Sequence, residues 1–224
     1  MKKLTIAALM LLGSFSVASA GPGINLGVSG QLGVFEAQAT ESLNGNKRDT
    51  GEAVGVFGYS SIFIEKTLGD RVRIGYDYVP ETLESETVDE VRDDIVHSAP
   101  AVGAVTSTSN TAKVKFEDLS TLYVSVHLTE GLYAKYGVMT VDVITEETLN
   151  TGAKYGNATL DGTVMGVGYH KQNENGFFFR VEGTVMEIDG HTFNSSVTTN
   201  TTANSIKVDE FHGVSGKLSV GKAF

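Results

Sequence analysis

Alternation at period two constrains this chain more than any other feature, and it is cleanest over the last eleven residues, VSGKLSVGKAF. Val214, Leu218, Val220 and Phe224 share one parity, and Ser215, Lys217, Ser219 and Gly221 share the other. Drawn as a strand, the segment has one apolar and one polar face. A soluble domain seldom ends on an exposed aromatic, because termini fray into water. A closing strand that pairs with the first strand in lipid has a reason to carry one.

The pattern recurs upstream. A first strand, about Ile24 to Phe35, puts Leu26, Val28, Leu32 and Val34 on one face. A second, about Ala53 to Lys66, sets Val54, Val56, Ile62 and Ile64 against Phe57, Tyr59, Phe63 and Glu65. The third opposes Val72, Ile74, Tyr76 and Tyr78 to Arg71, Arg73 and Asp77. The fourth, about Lys113 to Thr129, ends in Leu122, Val124, Val126 and Leu128. The fifth carries Leu132, Ala134, Tyr136 and Val138 opposite Tyr133, Lys135 and Met139. Beyond Met139 the apolar parity passes to Val141 and Val143, which suggests a bulge or a strand leaving a membrane. The sixth shows Met165, Val167 and Tyr169. The seventh sets Phe177, Phe179, Val181 and Val185 against Arg180, Glu182, Thr184 and Met186.

Tight turns are expected at Leu68-Gly69-Asp70, Thr129-Glu130-Gly131 and Gln172 to Gly176. Polar stretches at Ala37–Thr50, Glu81–Thr111, Thr145–Asn157 and Asp189–Ser205 read as loops, with a short helix allowed around Leu83, Val88, Val91 and Ile95. Long and short connections alternate, so an up-and-down arrangement places all the turns at one end and all the loops at the other. The expected fold is all-β: an eight-stranded antiparallel up-and-down transmembrane β-barrel with four long external loops and three short periplasmic turns.

The start of the chain reads as an export signal. Lys2 and Lys3 precede an apolar Ile6–Leu12 core and an Ala18-Ser19-Ala20 cleavage site, giving a signal peptide over 1–20 and a single barrel domain over 21–224. The mature chain then holds 15 basic and 27 acidic side chains, which disfavours nucleic acid as a partner. The absence of cysteine excludes disulfides and thiolate chemistry. A closed hydrogen-bonded barrel supplies the stability that an exported chain without disulfides needs.

The aromatic C-terminus, with Leu218, Val220 and Phe224 on one face, resembles the assembly signal of bacterial outer-membrane barrels. It departs from that pattern at Lys222. The whole mature chain is similar to the small eight-stranded outer-membrane barrels of the OmpA, OmpX and OmpW types. The resemblance implies a location in the outer membrane, contact with its lipid and lipopolysaccharide, and insertion by the barrel assembly machinery acting on the last strand.

A soluble barrel with its apolar face inward is equally periodic. The membrane version is favoured by loop segregation and by aromatics near the turns (Phe63, Tyr133, Tyr169, Phe177, Phe224), which would form an interfacial girdle. It is also favoured by both charge signs on the opposite face. Eight strands leave an interior just wide enough for side chains, so Glu65, Arg71, Arg73, Asp77, Lys135, Arg180, Glu182 and Lys217 are expected to form a paired charge network inside. Phe57, Tyr59, Phe63, Tyr123 and Tyr133 could line an apolar luminal pocket.

No histidine pair has zinc-ligand spacing and the acidic loop lacks a calcium-loop pattern, so no metal or cofactor is expected. His191 with Ser195 or Ser196, and His212 with Ser215, hold the residue types of a His-Ser-acid arrangement found in some lipid A-modifying barrels. Nothing matches a nucleophile motif, and no catalytic step is expected. The expected role is structural or surface-interactive, for a monomer with a narrow or plugged lumen. Two alternatives stand beside it: OmpW-like passage of small hydrophobic molecules, and adhesion through the long external loops.

Overall fold

The computed structural model describes residues 23–43, 46–85, 88–98, 101–149, 154–199 and 202–224; the stretch 1–20, read above as a signal peptide, lies outside them. Twelve strands form one antiparallel sheet that closes on itself: β1 (Ile24–Leu43), β2 (Asn46–Leu68), β3 (Val72–Tyr78), β4 (Leu83–Glu84), β5 (Val88–Ser98), β6 (Ala101–His127), β7 (Leu132–Thr148), β8 (Ala158–Gln172), β9 (Phe177–Ile188), β10 (His191–Thr199), β11 (Thr202–Val208) and β12 (Phe211–Ala223). β1 pairs with both β2 and β12, so eight of the twelve make a ring in the order β1, β2, β3, β6, β7, β8, β9, β12. The other four extend one end. β4 and β5 lie against the first half of β6, and the β10–β11 hairpin lies against the far end of β1.

The ring closes with a stagger. From Val56 on β2 the register runs through Val34, Val214, Val185, Met165, Tyr136, Val124 and Ile74, and returns to β2 at Lys66, ten residues farther along the same strand. Eight strands with that stagger tilt by about 40° and enclose a lumen filled by side chains. The first and last strands meet at the turn end, where the Phe224 amide donates to the Ile24 carbonyl at 2.9 Å. The aromatic terminus is therefore part of the closing ladder.

Side-chain polarity divides this cylinder into two zones. Over the turn-side zone the outward face is apolar and exposed: Leu26, Leu32, Ile62, Val167, Phe177, Val181, Val214 and Leu218 all stand on it. From Val214 on β12 to Phe224 just past its end, this face spans ten residue steps, which at ~3.3 Å per residue and the ~40° tilt is a band about 25 Å tall. That height matches a bilayer's hydrocarbon core. Farther out the polarity reverses. Val141, Val143, Leu160, Ile188 and Phe193 are buried inside with Met139, Val164 and Met186, while Glu36, Glu52, Asp161, Glu187 and His212 face outward and are exposed. The chain here is organised like a soluble barrel, and each large apolar side chain withdrawn from water contributes about 1.5–3 kcal/mol.

The change of parity beyond Met139 is this reversal. β7 pairs with β8 without interruption, and the bulge lies on the partner strand, between Glu117 and Ser120 of β6. Two further expectations are corrected. The polar stretches Ala37–Thr50, Glu81–Thr111 and Asp189–Ser205 are largely strand, forming the β1–β2, β5–β6 and β10–β11 hairpins; the backbone around Leu83, Val88, Val91 and Ile95 is extended, where a short helix was allowed. The ladders of these hairpins rest on backbone hydrogen bonds, which need no apolar alternation in the sequence. Of the five girdle aromatics, Tyr169, Phe177 and Phe224 face outward, whereas Phe63 and Tyr133 are buried inside. The side chains of residues 86–110, including His97 and most of the acidic run, lie outside the described ones.

Lys222, the departure from the expected terminal pattern, occupies the outward face of β12. Its ammonium lies 5.1 Å from the Phe177 ring centre and 5.3 Å from that of Phe224. Two aromatic faces thus hold the cation at the turn-side edge of the apolar band, where its stem covers hydrocarbon and its head reaches water.

Candidate functional site

The lumen of the turn-side zone is the chemically dense part of the molecule. Strand parity carries polar side chains into it because lipid occupies the other face. Glu65 on β2 is fully buried. Its Oε1 accepts from Arg180 Nη1 at 2.6 Å and the Tyr123 hydroxyl at 2.8 Å; its Oε2 accepts from Arg180 Nη2 at 2.5 Å and Asn25 Nδ2 at 3.0 Å. The bidentate guanidinium contact ties β2 to β9 across the lumen, and both carboxylate oxygens are fully occupied. Arg180 also lies 4.6 Å from the Phe178 ring centre and 5.3 Å from that of Phe63.

Two more ion pairs lie farther in. Lys217 Nζ donates to Asp77 Oδ2 at 2.5 Å. Glu182 accepts from Lys135 Nζ and, at 2.8 Å, from the Tyr133 hydroxyl. Arg73 has a different environment: its guanidinium meets His127 Nε2 at 2.6 Å and His170 Nε2 at 3.4 Å, and Arg180 Nε donates to His170 Nδ1 at 2.9 Å. Both imidazoles therefore serve as acceptors for arginine. Among the described residues no three His, Asp or Glu side chains gather into a metal-binding group.

Arg71 does not enter this cluster. It occupies the β2–β3 turn with its side chain exposed, and contributes only its carbonyl, which accepts from the His127 amide at 2.7 Å. Its parity matches that of Arg73, but parity has structural meaning only within the strand, which begins at Val72. The interior thus sets Arg73, Lys135, Arg180 and Lys217 against Glu65, Asp77 and Glu182.

The five aromatics proposed for an apolar pocket are distributed instead. Tyr123 and Tyr133 direct their hydroxyls to Glu65 and Glu182, and Phe63 stacks beside Arg180. Phe57 belongs to a separate edge-to-face chain, Phe35–Phe57–Phe116–Phe211, at the boundary with the outer zone. Tyr59 borders a cavity of about 30 Å³ beside Asp77, Lys135 and Lys217, room for a water molecule or two. Phe178 completes the inner aromatic group; its parity with Arg180 marks it inward, although its apolar neighbours Phe177 and Phe179 obscure the signal.

These rings fit because glycines lie directly opposite them in the register. Phe63 faces Gly27, Tyr123 faces Gly75, Tyr133 faces Gly168 and Phe178 faces Gly221. A Cβ at any of the four would overlap the ring, so aromatic and glycine fill one layer together.

The two His-Ser candidates are not assembled into a reactive arrangement. His191 and Ser195 sit four residues apart along β10, about 13 Å at strand rise, and the His191 ring packs against Phe193. His212 is exposed on the outward face of β12, whereas Ser215 points inward to Gln31 and Thr184.

The wall is interrupted between β2 and β3. β2 pairs with β3 only over Ile62–Leu68, and β3 stops at Tyr78, ahead of Pro80. Above that point the described residues give the outer edge of β2 no ladder partner. Glu81 caps the break, its Oε1 accepting from the Ser60 amide and, at 2.9 Å, from the Ser60 hydroxyl.

Neither a family model nor a curated protein sequence matches the chain. Solved structures do. The outer membrane protein OprG from Pseudomonas aeruginosa superposes with a TM-score of 0.51 at 12% identity, covering 88% of this chain and 95% of that one. The outer membrane protease OmpT from Escherichia coli gives 0.52 at 10% identity over 93% and 99%. The outer membrane protein AlkL in DMPC bilayers gives 0.50 at 12% identity over 94% and 95%. The likeness is one of fold: this chain is built as an outer-membrane β-barrel.

Proposed function

We propose that the protein resides in the outer membrane as a sealed barrel, with a structural and surface-interaction role carried by its outer hairpins. One observation carries the reading: the lumen is filled twice over, by the Glu65–Arg180, Asp77–Lys217 and Glu182–Lys135 pairs in the lipid-level zone and by the Met139–Phe193 apolar cluster above it. A path for water or ions would require breaking buried ion pairs and opening a packed core at the same time. On this reading lipopolysaccharide and outer-leaflet lipid surround the apolar band. The barrel assembly machinery receives β12 with Leu218, Val220 and Phe224, and the monomer is the working unit.

The test is conductance of the purified barrel in a planar bilayer. A sealed lumen gives no stepwise current at 100 mV; steady single-channel steps would overturn the proposal.

A second reading, passage of small hydrophobic molecules through the wall, is favoured by the break between β2 and β3. There Phe57 of β2 and Phe116 of β6, 6.0 Å apart between ring centres, meet behind the gap. It predicts that Phe57→Ala speeds entry of a fluorescent alkane into barrel-loaded vesicles without raising ion conductance.

A further inference from the structure

The lipid-facing side of the wall carries a groove of about 580 Å³ running over β1, β2, β3 and β6. Leu26, Ile62, Ile64, Tyr76 and Tyr78 line it, all on the outward parity. Its outer end is formed by Asp118, in the β6 bulge. Asp118 has φ 53°, the only positive value at a non-glycine among the described residues. A bulge re-aims side chains, and this one turns the carboxylate toward β3, where the Tyr78 hydroxyl donates to its Oδ1 at 2.8 Å. The adjoining Val79 amide donates to the Leu119 carbonyl at 2.9 Å and fixes the corner.

The groove is therefore apolar along its length, with one carboxylate at the end toward the outer surface. That carboxylate is hydrogen-bonded to a neutral phenol, and no lysine or arginine lines the groove. A charge at the border of a low-dielectric region is stabilised by an opposite charge and destabilised by a like one. Phosphate- or carboxylate-headed chains are disfavoured there, whereas an ammonium would complete the pair. The volume falls within the ~300–1,000 Å³ of ordinary small-molecule sites. We propose that this groove binds a single-chain amphiphile with a cationic amine headgroup, the alkyl chain lying along Ile64, Ile62 and Tyr76 and the ammonium at Asp118. The inference rests on the apolar band facing lipid and is independent of whether the lumen conducts.

Dodecylamine, titrated into the barrel in phosphatidylcholine nanodiscs at pH 7 with backbone-amide NMR as the readout, tests it. Expected are saturable shifts at Ile62, Tyr76 and Tyr78, absent with dodecanoate. Asp118→Asn should raise the Kd at least tenfold while leaving the free spectrum nearly unchanged, since asparagine tolerates the left-handed backbone. Ile62→Trp, which fills the groove from a lipid-facing position, should abolish saturation. Shifts that rise linearly with added amine, equal binding of dodecanoate, or an unchanged Kd in Asp118→Asn would each overturn the proposal.

Discussion

Glu65 and Arg180 set the energetic stakes inside the lumen. Desolvating two charges is expensive, and what stabilises the pair is the completeness of its hydrogen bonding. Removing one partner leaves the other charged and buried. Arg180→Met should therefore destabilise the barrel by about 3–5 kcal/mol, whereas Glu65→Leu combined with Arg180→Met should recover most of that loss. Urea unfolding from phosphatidylcholine vesicles measures both, and equal destabilisation in single and double variants would refute the argument. The glycine beneath Tyr123 carries a second prediction: Gly75→Ala forces the ring and its Glu65 contact to shift and should cost about 1–3 kcal/mol by the same assay. At this scale strand parity made the interior charges readable, whereas Phe63 and Tyr133 were assigned to the girdle although they lie inside. Arg73, Arg180 and Lys217 followed from parity, and Arg71 failed because parity was carried one residue past the strand. The partners were not readable at all, because which cation meets which carboxylate depends on the ten-residue stagger of the ring.

Among the elements, the eight membrane-level strands were legible because lipid enforces strict alternation on them. The hairpin arms were not, since Ala37–Thr50 and Asp189–Ser205 are mostly polar in sequence and are held by backbone ladders, with Phe193 reaching down into the buried cluster. The β6 bulge was equally hidden: Glu117-Asp118-Leu119 shows nothing unusual in sequence, and the parity change read on neighbouring β7 came from the exchange of polarity between the zones, not from the bulge. The arms are additions to a ring that closes without them. β6 still pairs with β7 from Lys113 onward, so deleting residues 86–111 should leave a barrel that migrates as a folded species before boiling and as an unfolded one after. Loss of that shift would mean the arm is required for closure. β12 is the opposite case: it bonds to both β1 and β9 along its full length, and removing Phe224 should reduce the membrane-inserted fraction several-fold, as read by carbonate extraction.

For the whole molecule, the arrangement of turns and arms fixes an orientation that a cysteine-free chain makes easy to probe. A single cysteine at Thr192, exposed on the outer hairpin, should react with a membrane-impermeant maleimide on intact cells. One at Glu130, exposed in a tight turn, should react only after the cells are opened. The reverse pattern would invert the topology.

The exchange of polarity between the two zones has a mechanical consequence. A cylinder that is uniformly greasy outside can slide along the bilayer normal at little cost, but this one cannot. Moved inward by two residues, it would bring Glu36, Glu187 and His212 into hydrocarbon; moved outward, it would expose Phe177 and Phe224 to water. Immersion depth is thus written into the chain itself. When membrane thickness varies, the lipid around the barrel has to stretch or compress to meet it.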